Sequence, residues 1–126
     1  MVSILVIDDS VFSQRVTADL IKKMLPEAEF HFANDGEQGL EAYKELNPDF
    51  VFLDLLMPKL NGLDVVRLLR KYDAGANIFV ISADVQKSVK DKAVELGVME
   101  FINKPFTAEK AELTAKIIRE RINEAG

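Results

Sequence analysis

The chain has 126 residues, enough for one domain with one sizeable core. It is 48% hydrophobic and 29% charged, which excludes disordered and collagen-like classes. With 16 basic residues against 21 acidic ones, the net charge is −5, which argues against sequence-independent nucleic-acid binding. The absence of cysteine excludes disulfides and thiolate metal sites.

Met1-Val2-Ser3 leads straight into an apolar run, with no basic leader and no small-residue cleavage site. The longest apolar stretch, residues 50–57, is interrupted by Asp54 and falls far short of the ~20 residues of a membrane span. The expectation is a soluble, cytoplasmic, single-domain protein over residues 1–126, with no membrane insertion and no output domain.

Short apolar runs alternate with longer amphipathic stretches. Residues 4–7 predict the first strand. Val16, Leu20 and Met24 recur at four-residue spacing and predict a helix ending at Leu25-Pro26. Residues 30–33 predict a second strand, weakened by His31, which reads as a half-buried strand residue rather than a ligand. Asp35 and Gln38 form a capping-box pattern that opens a second helix, and Asn47-Pro48 closes it. Residues 50–53 predict the third strand, and 62–72 a helix with Leu63, Val66 and Leu69 on successive turns. Residues 78–81 predict the fourth strand and 85–96 the fourth helix, with Gly97 as its left-handed terminator. Residues 98–102 predict the last strand. Thr107 then caps a fifth helix whose inner stripe is Leu113, Ile117 and Ile122.

Continuous apolar runs are the pattern of strands buried on both faces. Five strand–helix units in strict alternation imply an α/β fold: a doubly wound parallel sheet with helices on both faces. Such sheets bind ligands beyond the carboxyl ends of their strands. The first strand ends in Asp8-Asp9, the third in Asp54, the fourth in Ser82-Ala83-Asp84 and the fifth in Asn103-Lys104-Pro105. One edge therefore collects three carboxylates, a hydroxyl and a lysine.

Two carboxylates ~5 Å apart repel by about 3 kcal/mol at an effective dielectric of 20, so three together need a cation. Lys104 supplies one charge. Mg²⁺ suits an all-oxygen donor set better than Zn²⁺, and it accepts phosphate oxygens readily. A carboxylate, a metal and a cation together suit phosphoryl transfer, in which an Asp attacks phosphorus and becomes an acyl phosphate. Asp54 is the best nucleophile, set between metal-holding Asp9 and cationic Lys104. Ser82 can donate to a phosphoryl oxygen. Singly, an Asp pair after a strand is commonly a turn or cap, and a lone serine or lysine carries little. Asp54 inside an apolar run is costly without a role, and the convergence of five residues on one edge carries the inference.

Four motifs, residues 4–10, Asp54 with 57–62, Ile81-Ser82-Ala83 and Lys104-Pro105-Phe106, lie in order at fitting separations. In these the chain resembles, over nearly its whole length, the receiver domain of two-component response regulators in its single-domain CheY-like form. The resemblance implies a flavodoxin-like strand order 2-1-3-4-5. It implies that Asp54 accepts a phosphoryl group from the phosphohistidine of a sensor histidine kinase or histidine phosphotransfer protein. Asp8, Asp9 and Asp54 would hold Mg²⁺ with the backbone carbonyl of Leu56. Lys104 would pair with the phosphoryl group, and Ser82 and Phe101 would form the switch. The Lys104-Pro105 bond would be cis. Leu56 and Asp84 would tune the lifetime of the phosphoryl group, and small Ala83 would leave the acceptor open to its donor. The altered face would lie on helix four, strand five and helix five, and the output would be a chemotaxis or motor target, a relay intermediate or a phosphate sink. A monomer is expected because no extended apolar surface stripe stands out in the sequence. Phe101 stands where tyrosine is commoner, which removes a hydroxyl from that readout.

Two other readings compete. One is a phosphorylation-independent interaction module, against which the presence of Asp8, Asp9, Asp54, Ser82 and Lys104 speaks. The other is an aspartyl-phosphate phosphatase of the haloacid-dehalogenase type, which usually wants a second Asp two residues after the nucleophile. Leu56 occupies that position.

Overall fold

The structure is a computed structural model that describes residues 1–58 and 60–125; Lys59 of the loop motif and Gly126 lie outside the described residues. Its elements are β1 (Ser3–Ile7), α1 (Val11–Met24), β2 (Glu29–Ala33), α2 (Gly36–Leu46) and β3 (Phe50–Leu53). Then follow α3 (Gly62–Tyr72), β4 (Ile78–Ser82), α4 (Lys87–Glu95), β5 (Glu100–Asn103) and α5 (Ala108–Ala125). All strand pairs are parallel, in the order β2-β1-β3-β4-β5.

Alternation along the strands divides the core in two. Ile4, Val6, Phe50, Phe52, Phe79 and Ile81 face α1 and α5, where they meet Ile21, Leu25, Ala111, Ala115 and Ile118. Phe52 and Phe79 stack there at 4.9 Å between ring centroids. Leu5, Ile7, Val51, Leu53, Ile78 and Val80 face the other side, against Tyr43, Val65, Val66 and Leu69 of α2 and α3. Burial on both faces is complete in β3 and β4 and nearly so in β1.

It fails for β2 and β5, contrary to the uniform expectation. These are the edge strands, each with one neighbour, and both are largely half-buried or exposed. His31 is half-buried on β2, with Nε2 3.1 Å from Glu29 Oε1. The β5 boundary also moves. Val98 and Met99 lie outside the strand, which starts at Glu100, because the chain is still turning out of Gly97 at φ 79°.

The caps follow the sequence closely. Gln38 N donates to Asp35 Oδ1 at 2.8 Å, and Gln38 Oε1 accepts from Asn34 N at 3.1 Å. Asn47 terminates α2 at φ 44°. Thr107 Oγ1 accepts from Lys110 N at 3.3 Å at the start of α5. α3 matches its expected bounds, while α4 is shorter than residues 85–96.

Two helical stripes require correction. In α1 the buried positions are Gln14, Thr17, Ala18 and Ile21, whereas Val16, Leu20 and Met24 lie on its half-buried margin. In α5 the core is Ala111, Thr114, Ala115 and Ile118. Leu113 is 65% exposed and Ile122 36% exposed, while Ile117 is only partly buried. The two helices pack on each other as well as on the sheet, and close approach selects small residues over large ones.

Candidate functional site

Parallel register brings the site together. Ile7 pairs with Leu53, so Asp8 and Asp54 follow as neighbours at the same sheet edge. Asp54 N donates to Ile7 O at 3.0 Å, and Asp8 N to Ala33 O at 3.1 Å. Ser82 pairs with Asn103, and Lys104 N donates to Ser82 O at 3.0 Å. The Lys104-Pro105 peptide is cis, as the resemblance implied. Lys110 Nζ donates to Asn103 O at 2.7 Å and to Pro105 O at 3.0 Å, tying the loop to α5.

Asp8 and Asp54 are buried, and Asp9 is exposed. Lys104 Nζ donates to Asp54 Oδ2 at 2.8 Å, to Asp8 Oδ2 at 3.2 Å and to Ser13 Oγ at 3.4 Å. The remaining carboxylate oxygens accept main-chain N–H groups: Ser10 N to Asp8 Oδ1 at 2.9 Å, and Leu56 N to Asp54 Oδ1 at 2.9 Å. Both buried carboxylates are thus held in fixed orientations.

Burial pushes the Asp8 carboxyl up from its ordinary value. The Ser10 N–H and Lys104 oppose that shift, and the charge of Asp54 adds to it. Burial pulls Lys104 down, but its bonds to Asp54 and Asp8 and their charges outweigh it and leave Lys104 above the ordinary lysine value.

Asp8, Asp9 and Asp54 each offer an oxygen, and the three lie within 4.8 Å of one another. The donors are all hard oxygens, and exposed Asp9 leaves the cluster open to solvent. That set fits Mg²⁺, as the sequence anticipated.

Ser82 is fully buried, and its Oγ accepts from Asp84 N at 3.2 Å. Asp84 Oδ1 in turn accepts from Gln86 N at 3.0 Å, ordering the β4–α4 loop. Leu56, two residues after Asp54, is exposed, and so is Ala83, directly after β4. Phe101 sits on the edge strand β5. It is half-buried against the core under α2 and α3, and it lines a groove with Glu100, Lys110, Leu113 and Ile117.

Three residues of the α1 start escaped the sequence reading. Ser10 is the N-cap, and its Oγ accepts from Ser13 N at 3.2 Å. A serine directly before a helical stretch is a readable cap signal. Ser13 and Gln14 carry no such signal, because only the fold aims them at Lys104 and at the strand ends.

The chain belongs to the response regulator receiver domain family, whose pattern it matches over residues 4–118. It is 38% identical to the chemotaxis protein CheY of Thermotoga maritima over 103 residues, 82% of this chain and 85% of that protein. A CheY-like receiver domain protein from Methanospirillum hungatei JF-1 shares the fold at TM-score 0.89 and 16% identity, covering 100% of this chain and 99% of that one. A chain of the CheX–CheY–BeF3–Mg complex from Borrelia burgdorferi matches at TM-score 0.80 and 26% identity, covering 99% of this chain and 90% of that one. Receiver domains of this family are phosphorelay signalling switches that bind Mg²⁺ at an acidic pocket. Among the described residues, no helix is long and apolar enough to cross a membrane.

Proposed function

We propose that this protein is a response regulator whose Asp54 takes a phosphoryl group from a phosphohistidine on a sensor histidine kinase or histidine phosphotransfer protein. The carrying observation is Asp54 itself: buried, bonded to Lys104 Nζ at 2.8 Å, and one member of a three-carboxylate cluster. An Asp54 carboxylate oxygen attacks phosphorus and a P–O bond forms. The P–N bond breaks, and the departing imidazole keeps the electron pair. Lys104 neutralises charge on the incoming phosphoryl oxygens. Asp8, Asp9, Asp54 and the Leu56 carbonyl would hold Mg²⁺, which supplies charge neutralisation when bound.

Ser82 then donates its hydroxyl proton to a phosphoryl oxygen. That draws the β4–α4 loop with it, because Asp84 N donates to Ser82 Oγ. The space Ser82 leaves lets Phe101 turn inward and reshapes the face made by α4, β5 and α5. That face docks a downstream protein: a chemotaxis or motor target, or a relay partner. The domain acts as a monomeric cytoplasmic switch, and the chemistry proposed for it is its own phosphorylation and slow dephosphorylation. Leu56 and Asp84 set how long the phosphoryl group survives.

Mass spectrometry after incubation with acetyl phosphate and Mg²⁺ tests this. One phosphoryl group is expected on the wild-type chain and none on Asp54→Ala. An unmodified wild type, or an equally modified variant, refutes the assignment and favours a phosphorylation-independent module. Exposed Ala83 bears on donor access, so Ala83→Leu is expected to slow labelling by acetyl phosphate about tenfold, at ~1.4 kcal/mol of barrier. An unchanged rate removes Ala83 from that role.

A further inference from the structure

Gln14 occupies a position that the reaction, as described, does not use. It lies in the first turn of α1, and its side chain is buried. Its Nε2 reaches three acceptors at once: Asp8 O at 2.7 Å, Asn34 Oδ1 at 2.8 Å and Ala33 O at 3.3 Å. These acceptors come from the carboxyl ends of two strands. A neutral amide has two N–H donors, so the longest contact is a shared one. An apolar side chain of the same length would fill this space equally well. The amide is explained by what it holds, since a buried carbonyl without a donor is costly.

What it holds is the main chain between the two metal carboxylates. The Asp8 carbonyl belongs to the peptide that links Asp8 to Asp9. Elsewhere Asp8 is fixed by Ala33 O at its N–H, by Ser10 N at Oδ1 and by Lys104 at Oδ2. Without Gln14 the Asp8 carbonyl loses a buried donor and the Asp8–Asp9 peptide keeps only the restraint of the Ser10 N–H on Asp8 Oδ1, so small rotations of it change where Asp9 points relative to Asp54. We infer that Gln14 is a positioning residue for the acidic cluster, fixing the Asp8–Asp9 peptide so that the three carboxylates stay spaced for a divalent cation. This rests on the reading of Asp8, Asp9 and Asp54 as a Mg²⁺ site. Groups that orient metal ligands typically change affinity 10–100-fold when removed.

The test is Mg²⁺ titration calorimetry on the full chain, with thermal melts followed by circular dichroism as the folding control. Gln14→Met keeps the length and removes both donors. Gln14→Asn keeps the amide and falls one methylene short. Both variants are expected to melt cooperatively and to raise the Mg²⁺ Kd about tenfold or more. Faster amide exchange at Ser10, whose N–H is held by Asp8 Oδ1, is expected in the metal-free variants. Ile21→Val, on the same buried helix face but away from the cluster, is expected to lower Tm and leave the Kd within about twofold. If Ile21→Val weakens Mg²⁺ as much as the Gln14 variants do, loss of stability explains the effect and the inference fails. If Asp9→Asn loses Mg²⁺ binding while both Gln14 variants retain wild-type affinity, the inference fails and the site stands. A wild-type chain that takes up no Mg²⁺ overturns the site and the inference together.

Discussion

Asp8 shows how one buried carboxylate makes the folded state sensitive to pH. Burial raises its pKa in the folded chain, so the folded state binds that proton more tightly than the unfolded one. Its contribution therefore favours folding at low pH. That contribution is lost as pH rises from the ordinary value of 3.8 through the raised one. At neutral pH without metal, Asp8→Asn is expected to be more stable than wild type by about 3–6 °C in Tm, the shift that ~1 kcal/mol produces in a domain of this size. The gap should shrink as pH falls below the window, because both chains are then uncharged at that position. A wild type at least as stable as Asp8→Asn at pH 7 without metal would show that Lys104 fully compensates the buried charge.

At the scale of elements, small residues decide where helices and loops can approach. Gly62 opens α3 beneath the β3–α3 loop, with its N–H 3.3 Å from Leu55 O. A Cβ added there would run into the Leu55 backbone, which has no flexible side chain to yield. Gly62→Ala is expected to cost about 1–3 kcal/mol in a denaturant melt, within the range for overpacking. It should also displace Leu56, whose N–H orients Asp54. On α5 the corrected stripe makes an opposite pair of expectations. Ile118→Ala is expected to cost about 2–5 kcal/mol, because the side chain is fully buried. Leu113→Ser is expected to stay within about 0.5 kcal/mol of wild type, because Leu113 is largely exposed. Equal losses from the two would restore Leu113 to the core stripe that the sequence suggested. The error has a physical origin. Periodicity marks every large apolar residue alike, but α5 buries alanines against α1 and turns Leu113 outward beside Phe101.

Across the whole molecule, the sheet carries two cores and presents one functional edge, so an event at the edge couples to global stability. A cation bound only by the folded state stabilises it by mass action. Each tenfold of free Mg²⁺ above its Kd is expected to add about 1.4 kcal/mol to the unfolding free energy. The dependence should vanish in Asp9→Asn, and a Tm that ignores Mg²⁺ in wild type would remove the metal site.

The strand–helix alternation, the carboxylates after strands one and three, and the lysine after strand five were all legible in the order of residues, because apolar runs and cap residues are local signals. So were the Asp35 cap, Asn47 and Gly97, whose side chains or backbone freedom act within a few positions. The partners of Gln14 and Ser13, the exposure of β2 and β5, and the true faces of α1 and α5 were not. Each depends on which element lies alongside which, and sequence spacing carries no record of that distance. Parallel pairing decided that residues 8, 54 and 104 meet, since register converts separate strand ends into neighbours a few ångströms apart.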